Sequence, residues 1–185
     1  MSFTGAVPTP YGEYWAGFTE RGLARLAFPE DPPETCAAWL KQWDRATPVV
    51  EGLGLENDPR LRQLHEELNA YFAGQLRVFR TRLDLLGTPF QRLVYHALLG
   101  IPWGETRSYS QVAVAIGRPK AVRAVGAANG SNPVPILVPC HRVIGANGTL
   151  TGYGGGLDLK ARLLAIEGLA PLTLGCEACG VTSDE

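Results

Sequence analysis

From Pro133 to Val143 the chain reads Pro-Val-Pro-Ile-Leu-Val-Pro-Cys-His-Arg-Val, an apolar run punctuated by three prolines. Removing such a run from water is favourable, so it is drawn into the interior, and its prolines stiffen the backbone as it goes. Whatever the chain folds into must therefore deliver Cys140 inward, with His141 and Arg142 beside it. A thiol is a strong nucleophile only as thiolate, and a neighbouring base or cation lowers its pKa. The blander reading of a lone buried cysteine is a small apolar core residue. The Cys-His pair alone leaves both readings open.

At 185 residues the chain is long enough for a substantial core and for one or two small domains. No apolar span is long enough for a membrane, and Met1-Ser2-Phe3-Thr4-Gly5 lacks the basic, then apolar start of a secretory signal. The expected location is the cytoplasm, or the nucleus in a eukaryotic source. The overall charge of -1 conceals an asymmetry. Residues 1–87 carry 9 Lys and Arg against 12 Asp and Glu, residues 88–168 carry 8 against 3, and residues 169–185 none against 3. A basic half beside an acidic one is compatible with a polyanionic partner and does not require one. Cysteines stand at 36, 140, 176 and 179; Cys176-Glu177-Ala178-Cys179 is half of a zinc pattern without its second pair, so it reads as a tail with two incidental thiols.

Along the chain, Tyr11 to Phe18 and Gly22 to Phe28 read as a hairpin about Thr19–Gly22, followed by a helix from Thr35 to Asp44. Asp58-Pro59 opens a second helix with Leu61, Leu64, His65, Leu68 and Phe72 at helical spacing, ending at Gly74. Alternation over Val78–Leu85 suggests a further strand, and Gly87-Thr88-Pro89 marks a boundary. Beyond it, Phe90, Leu93, Val94, Ala97 and Leu98 give one helix, Ser108 caps another with Val112, Ala113 and Ile116 inward, and Lys120 to Asn129 forms the next after Gly117-Arg118-Pro119. Two short helices about a tight glycine turn are a helix-turn-helix signature. A last helix spans about Leu157 to Glu167.

The second helix of that pair carries Ala121, Ala124, Gly126, Ala127, Ala128 and Gly130. Small residues suit close packing against a neighbour, and equally suit a narrow groove. A reader of base edges in the major groove displays Arg, Asn or Gln, which this helix mostly lacks, so minor-groove docking without sequence preference is the DNA mode it fits.

Set together, Gly87-Thr88-Pro89-Phe90-Gln91, Thr106-Arg107-Ser108-Tyr109, Lys120 to Gly126 and Asn132 to Val143 are ordered motifs that resemble the O6-alkylguanine-DNA alkyltransferase family from about Gly87 to Gly168. The resemblance implies an α+β chain of two domains. Residues 1–86 would form a small α/β domain, ribonuclease-H-like. Residues 87–168 would form a mainly helical, winged helix-turn-helix-like domain for DNA binding and alkyl transfer, followed by a tail over 169–185. It implies a single-turnover methylated-DNA–protein-cysteine methyltransferase acting on double-stranded DNA through the minor groove.

The same resemblance assigns roles. Cys140 would accept the alkyl group, with His141 as base, Glu167 as its partner, Asn132 bracing the turn and Tyr109 donating to the flipped purine. Arg123 would be the arginine finger replacing the extruded base, on a DNA face with Ala124, Gly126, Ala127 and Asn129. Tyr109, Val143, Tyr153, Gly154 and Lys160 would line the pocket, with the Gly154 N–H toward the alkylated oxygen where some relatives have serine. Some relatives also hold a structural zinc in the N-terminal half. The cysteines and histidines for it are missing here, so neither metal nor cofactor is expected, and the chain is expected to act as a monomer. Each residue also has a plainer reading: Arg123 as a surface salt-bridge partner, the tyrosines as half-buried aromatics, Glu167 as an exposed helix end. Three rival functions are a lesion binder lacking the chemistry, a helix-turn-helix regulator and a Cys-His hydrolase.

Overall fold

The computed structural model describes residues 1–43, 45 and 47–169. Its N-terminal half is built on a four-stranded sheet: β1 (Ser2–Thr9), β2 (Gly12–Phe18), β3 (Leu23–Ala27) and β4 (Val49–Leu53), in the order β3-β2-β1-β4. The β1–β2 and β2–β3 pairs are antiparallel, and β4 lies parallel to β1. Two helices, α1 (Thr35–Trp43) and α2 (Pro59–Phe72), cover it.

Gly5 and Gly17 explain how the helices come so close. A Cβ on Gly5 would lie 2.4 Å from Leu61 Cδ2 of α2, and one on Gly17 would lie 3.2 Å from Leu40 Cδ1 of α1. Gly5 pairs with Ala16, so Gly5 and Gly17 point to opposite faces, and the sheet is sandwiched between the two helices. Leu61, Leu64 and Leu68 are fully buried, each burial favouring the fold by about 1.5–3 kcal/mol.

The hairpin and both helices lie where the sequence places them, with Asp44 outside the described residues. The strand over Val78–Leu85 does not form; only an isolated bridge joins Leu83 to Leu23. The reason is the buried carboxylate of Glu67. It accepts from the backbone N–H groups of Arg80 and Thr81, both at 3.0 Å, and from Thr81 Oγ1 at 2.8 Å, taking amides a ladder would have used. This segment still closes the outer edge of β3, where Leu23 N donates to Arg82 O at 2.8 Å. Leu26 N on the same edge donates to Pro133 O at 2.8 Å, tying the sheet to the start of the cysteine run.

The second half is mainly helical: α3 (Pro89–Leu99), β5 (Arg107–Ser108), α4 (Tyr109–Ala115), α5 (Val122–Gly130), a 3₁₀ turn (Cys140–Arg142), β6 (Val143–Ile144) and α6 (Gly156–Ile166). Short β5 and β6 pair in parallel. Both α3 and α4 start on complete capping boxes, Thr88 with Gln91 and Ser108 with Gln111, each worth about 1 kcal/mol. Helices α4 and α5 meet about the Gly117 turn, whose φ of +69° favours glycine. A single cluster of buried side chains runs from Phe3 in β1 to Leu163 in α6, so the two halves share one core. Among the described residues no helix is long and apolar enough to cross a membrane. Cys176 and Cys179 lie outside the described residues.

Candidate active site

The cysteine run is a sequence of tight turns. Asn132 Oδ1 accepts from Val134 N at 3.0 Å, and Val138 N returns to Val134 O at 2.9 Å. Between them Leu137 N bonds Pro135 O at 2.9 Å across Ile136, whose φ is +73°. This is the rarer, left-handed γ-turn, and on a β-branched residue it costs about 1–3 kcal/mol, held by packing because Ile136 is fully buried. Pro139, at φ -81° and ψ 63°, then forms the mirror-image γ-turn, with Cys140 N bonded to Val138 O at 2.8 Å. Pro139 thus does more than stiffen the run: its fixed φ sets the turn that presents Cys140 at the start of the 3₁₀ turn.

Asn132 makes the bond that marks the cysteine out. Its Nδ2 donates to Val138 O at 2.8 Å and to Cys140 Sγ at 3.0 Å. A sulfur that accepts a hydrogen bond is stabilised as thiolate. Burial works the other way and is the stronger effect, so the Cys140 pKa is pushed up to about 11 despite Asn132 and the nearby Lys160 charge. The cation acting on the thiol is therefore Lys160, while the adjacent Arg142 is engaged elsewhere.

His141 and Glu167 meet as the resemblance implies: Nε2 lies 2.7 Å from Oε1. Glu167 caps the C-terminal end of α6, where a negative charge is unfavourable, and its partners compensate. Arg142 binds it in a fork, Nε to Oε2 at 2.8 Å and Nη2 to Oε1 at 3.0 Å, and Tyr71 donates its hydroxyl to Oε1 at 2.8 Å. Burial disfavours the carboxylate, but the bonds from His141 and Arg142 outweigh it and lower the Glu167 pKa to about 2. Burial also lowers the His141 pKa, overriding the attraction of Glu167. The ring is neutral, and because an ionised carboxylate only accepts, Nε2 carries the hydrogen and Nδ1 the lone pair. Nδ1 is buried without a hydrogen-bond partner among the described residues.

Around this pair the pocket residues separate into two groups. Tyr109 and Tyr153 are partly buried: Tyr109 receives a bond from Thr151 Oγ1 at 3.1 Å, and Tyr153 stands edge-on to His141 with ring centroids 6.4 Å apart. Gly154 is exposed. Val143 and Lys160, by contrast, are fully buried and line no open surface. Lys160 donates to Val143 O at 2.6 Å and Thr151 O at 2.7 Å, so it staples β6 to the loop after it; burial lowers its pKa to about 8.

Helix α5 separates in the same way. Arg123, Ala124 and Ala127 face solvent, and Gly126 packs toward the Tyr109 ring, 3.8 Å from where its Cβ would be. Asn129 does not belong to that exposed face. It is buried beside Val125 and Ala128, reaching Cys140 O at 3.5 Å, because helical geometry turns positions 125, 128 and 129 inward together.

Two residues of the site went unassigned by sequence reasoning. Tyr71 lies on the stripe that marks the buried face of α2, a signal for burial but not for a hydroxyl partner. Phe28 follows β3 and packs edge-on against Tyr153 at 5.6 Å.

With this geometry in place, the relatives are informative. Residues 3–85 match the model of the 6-O-methylguanine DNA methyltransferase ribonuclease-like domain, and residues 89–169 that of its DNA binding domain. The chain belongs to the 6-O-methylguanine DNA methyltransferase family. Within that family, a methylated-DNA–protein-cysteine methyltransferase of Methanosarcina barkeri is 42% identical over 163 residues, covering 87% of this chain and 94% of that protein. One from Mycolicibacterium paratuberculosis is 65% identical over 102 residues, 55% of this chain, and the match spans 62% of that relative's length. The crystal structure of Mycobacterium tuberculosis OGT in complex with DNA superposes with a TM-score of 0.74 at 43% identity, covering 89% of this chain and 92% of that one. The family's two-part fold, a ribonuclease-like half and a helical DNA-binding half, is the fold seen here.

Proposed function

We propose that the protein repairs DNA by taking the alkyl group of an O6-alkylguanine onto its own Cys140, once per molecule. The observation that carries this is the buried Cys140 sulfur accepting from Asn132, with the neighbouring imidazole locked onto a carboxylate. The exposed Arg123-Ala124-Ala127 face of α5 supports minor-groove docking, and the M. tuberculosis relative solved with DNA supports a duplex partner. We read residues 1–86 as the supporting domain and 87–168 as the reacting one, acting as a monomer in the cytoplasm.

In the resting protein the thiol is protonated and unreactive, consistent with its raised pKa. Arg123 fills the space left by the flipped nucleotide, and the base stacks beside Tyr109 and Tyr153. His141 Nδ1 accepts the thiol proton through a bridging water, and Glu167 stabilises the imidazolium. The sulfur attacks the alkyl carbon in line, the S–C bond forming as the C–O6 bond breaks. Guanine leaves with the bonding pair, its charge stabilised by the Tyr109 hydroxyl and removed by a proton returned from the relay. The thioether has no comparable leaving group, which accounts for a single turnover. A Cys-His hydrolase would instead need oxyanion donors for an acyl intermediate.

Intact-protein mass spectrometry after mixing with a duplex containing O6-methylguanine tests this. The expected result is one added methyl mass, lost in Cys140→Ser. No gain, or a gain that survives the substitution, overturns the assignment.

A further inference from the structure

Tyr71 reaches Glu167 across 96 positions of chain, from the last turn of α2 to the end of α6. Its ring is gripped from both halves: edge-on by Phe72 at 5.7 Å and Trp103 at 5.5 Å, and by Phe79 tilted at 5.4 Å. The clamp fixes where the hydroxyl points. It donates to Oε1 at 2.8 Å and lies 3.3 Å from His141 Nε2. Since both the hydroxyl and Nε2 give their hydrogens to Oε1, the side of the phenol facing Nε2 is its lone pair.

We propose that Tyr71 is a positioning residue for alkyl transfer, through which the N-terminal half sets the direction of proton movement in the C-terminal half. This rests on the reading of Cys140 as the alkyl acceptor. Oε1 accepts from three donors, the Tyr71 hydroxyl, His141 Nε2 and Arg142 Nη2, so it has little basicity left to take the imidazole hydrogen. The proton leaving the thiol therefore stops on His141. The phenol oxygen beside Nε2–H becomes a better partner as the ring turns cationic. Without the hydroxyl the carboxylate keeps its Arg142 fork but loses the bond that ties Oε1 to the clamped ring, and the imidazole loses the oxygen beside Nε2.

Tyr71→Phe keeps the clamped ring and removes only this oxygen. Tyr14→Phe is the control, since Tyr14 is equally buried in the same core and its hydroxyl has no partner among the described residues. Single-turnover methyl transfer is followed against pH, with duplex affinity measured separately, and the imidazole nitrogens of His65, His96 and His141 are read by NMR. For Tyr71→Phe the transfer rate falls about tenfold, the loss of one hydrogen bond to a charged group, while affinity holds. The shorter bond, to Glu167, dominates: losing it returns charge to the carboxylate, so the acid limb of the rate profile and the His141 titration move to higher pH.

The groups facing His141 that also bear on this limb are Cys140 and Arg142 on its own turn, Tyr153 in the following loop, Lys160 on α6 and Glu167 at its C-cap; all are common to both variants. Tyr14→Phe leaves rate and limb unchanged. Equal losses in both variants, or a Tyr71→Phe protein with wild-type rate, limb and His141 signals, overturns the proposal. If the wild-type protein takes up no methyl, the alkyl-acceptor reading fails, and unmoved His141 signals in Tyr71→Phe still dismiss the role of Tyr71.

Discussion

Among the described residues two free thiols are buried, one in each half, and they differ in chemistry. Cys36 on α1 is fully buried, and Cys140 is 3% exposed. Burial raises both, Cys36 to about 12 and Cys140 to about 11. What separates them is the role of the sulfur. Cys36 Sγ donates its hydrogen to Trp15 O at 3.1 Å, a bond only the protonated thiol makes, and among the described residues no side chain donates to it; the Arg25 charge and the Ala27 backbone favour its thiolate but do not offset burial. Cys140 Sγ accepts from Asn132 at 3.0 Å and feels the buried Lys160 charge, an arrangement that strengthens when the proton leaves. Burial and a nearby cation do not distinguish the two thiols; a side-chain donor aimed at the sulfur and an imidazole–carboxylate pair beside it, found at Cys140, do.

The contrast is most easily broken at the relay, which only Cys140 possesses. Glu167→Gln leaves Arg142 buried without its anion and is expected to cost about 3–5 kcal/mol of stability, together with most of the transfer rate. Acid acts on the same group. Its folded pKa, about 2, lies below the ordinary 4.5, so the stabilisation is complete above about pH 4.5 and is lost as pH falls through about 2, at most about 3 kcal/mol. Urea denaturation at stepped pH measures this. A wild-type slope in that window no steeper than that of Glu167→Gln removes Glu167 as its source.

Asn132→Ala sharpens the comparison by making Cys140 resemble Cys36. Val134 N loses its partner and Val138 O keeps only Cys140 N, a cost of about 1–3 kcal/mol, and transfer slows about tenfold as the thiol pKa climbs. The pH dependence of Cys140 alkylation by iodoacetamide reports the climb; an unmoved midpoint means the amide is only a brace. The smallest effect is expected at the other thiol. Cys36→Ala should cost about 1 kcal/mol and leave methyl uptake intact, which thermal denaturation and mass spectrometry check.

What the sequence discloses and what it hides divide along local and distant contacts. The capped helices at Thr88 and Ser108 are legible because their signals lie within four residues. Asn132 as the brace of the Cys140 turn comes from the resemblance rather than from its own neighbours, and its bond to the sulfur is seen only in the structure. Strand β4 escapes because it is an exposed edge with Glu51 and Gly52 in its middle, and its parallel partner β1 is nearly fifty residues away. The strand expected over Val78–Leu85 fails for a related reason: alternation says nothing of a buried Glu67 that claims its amides. Asn129 shows how composition misleads on a helix, since a run of small residues does not say which of them face in. Lys160 reads as a pocket residue by resemblance, and only its two carbonyl partners show it to be a buried staple whose charge still reaches the thiol.

Phe28 leaves one consequence for how such a protein can change. A Cβ at Gly154 would stand 3.1 Å from Phe28 Cε2, and one at Gly155 would stand 2.8 Å from Phe28 Cε1 and 2.7 Å from Leu159 Cδ2. The loop that carries Tyr153 is thus moulded on a ring supplied by the other half of the chain. Variation at 154 or 155 is not free: a side chain at 154 asks the Phe28 ring to give by a few tenths of an ångström, and one at 155 must displace both Phe28 and Leu159, so new pocket shapes there favour paired substitutions far apart in sequence. The two halves are constrained to drift together.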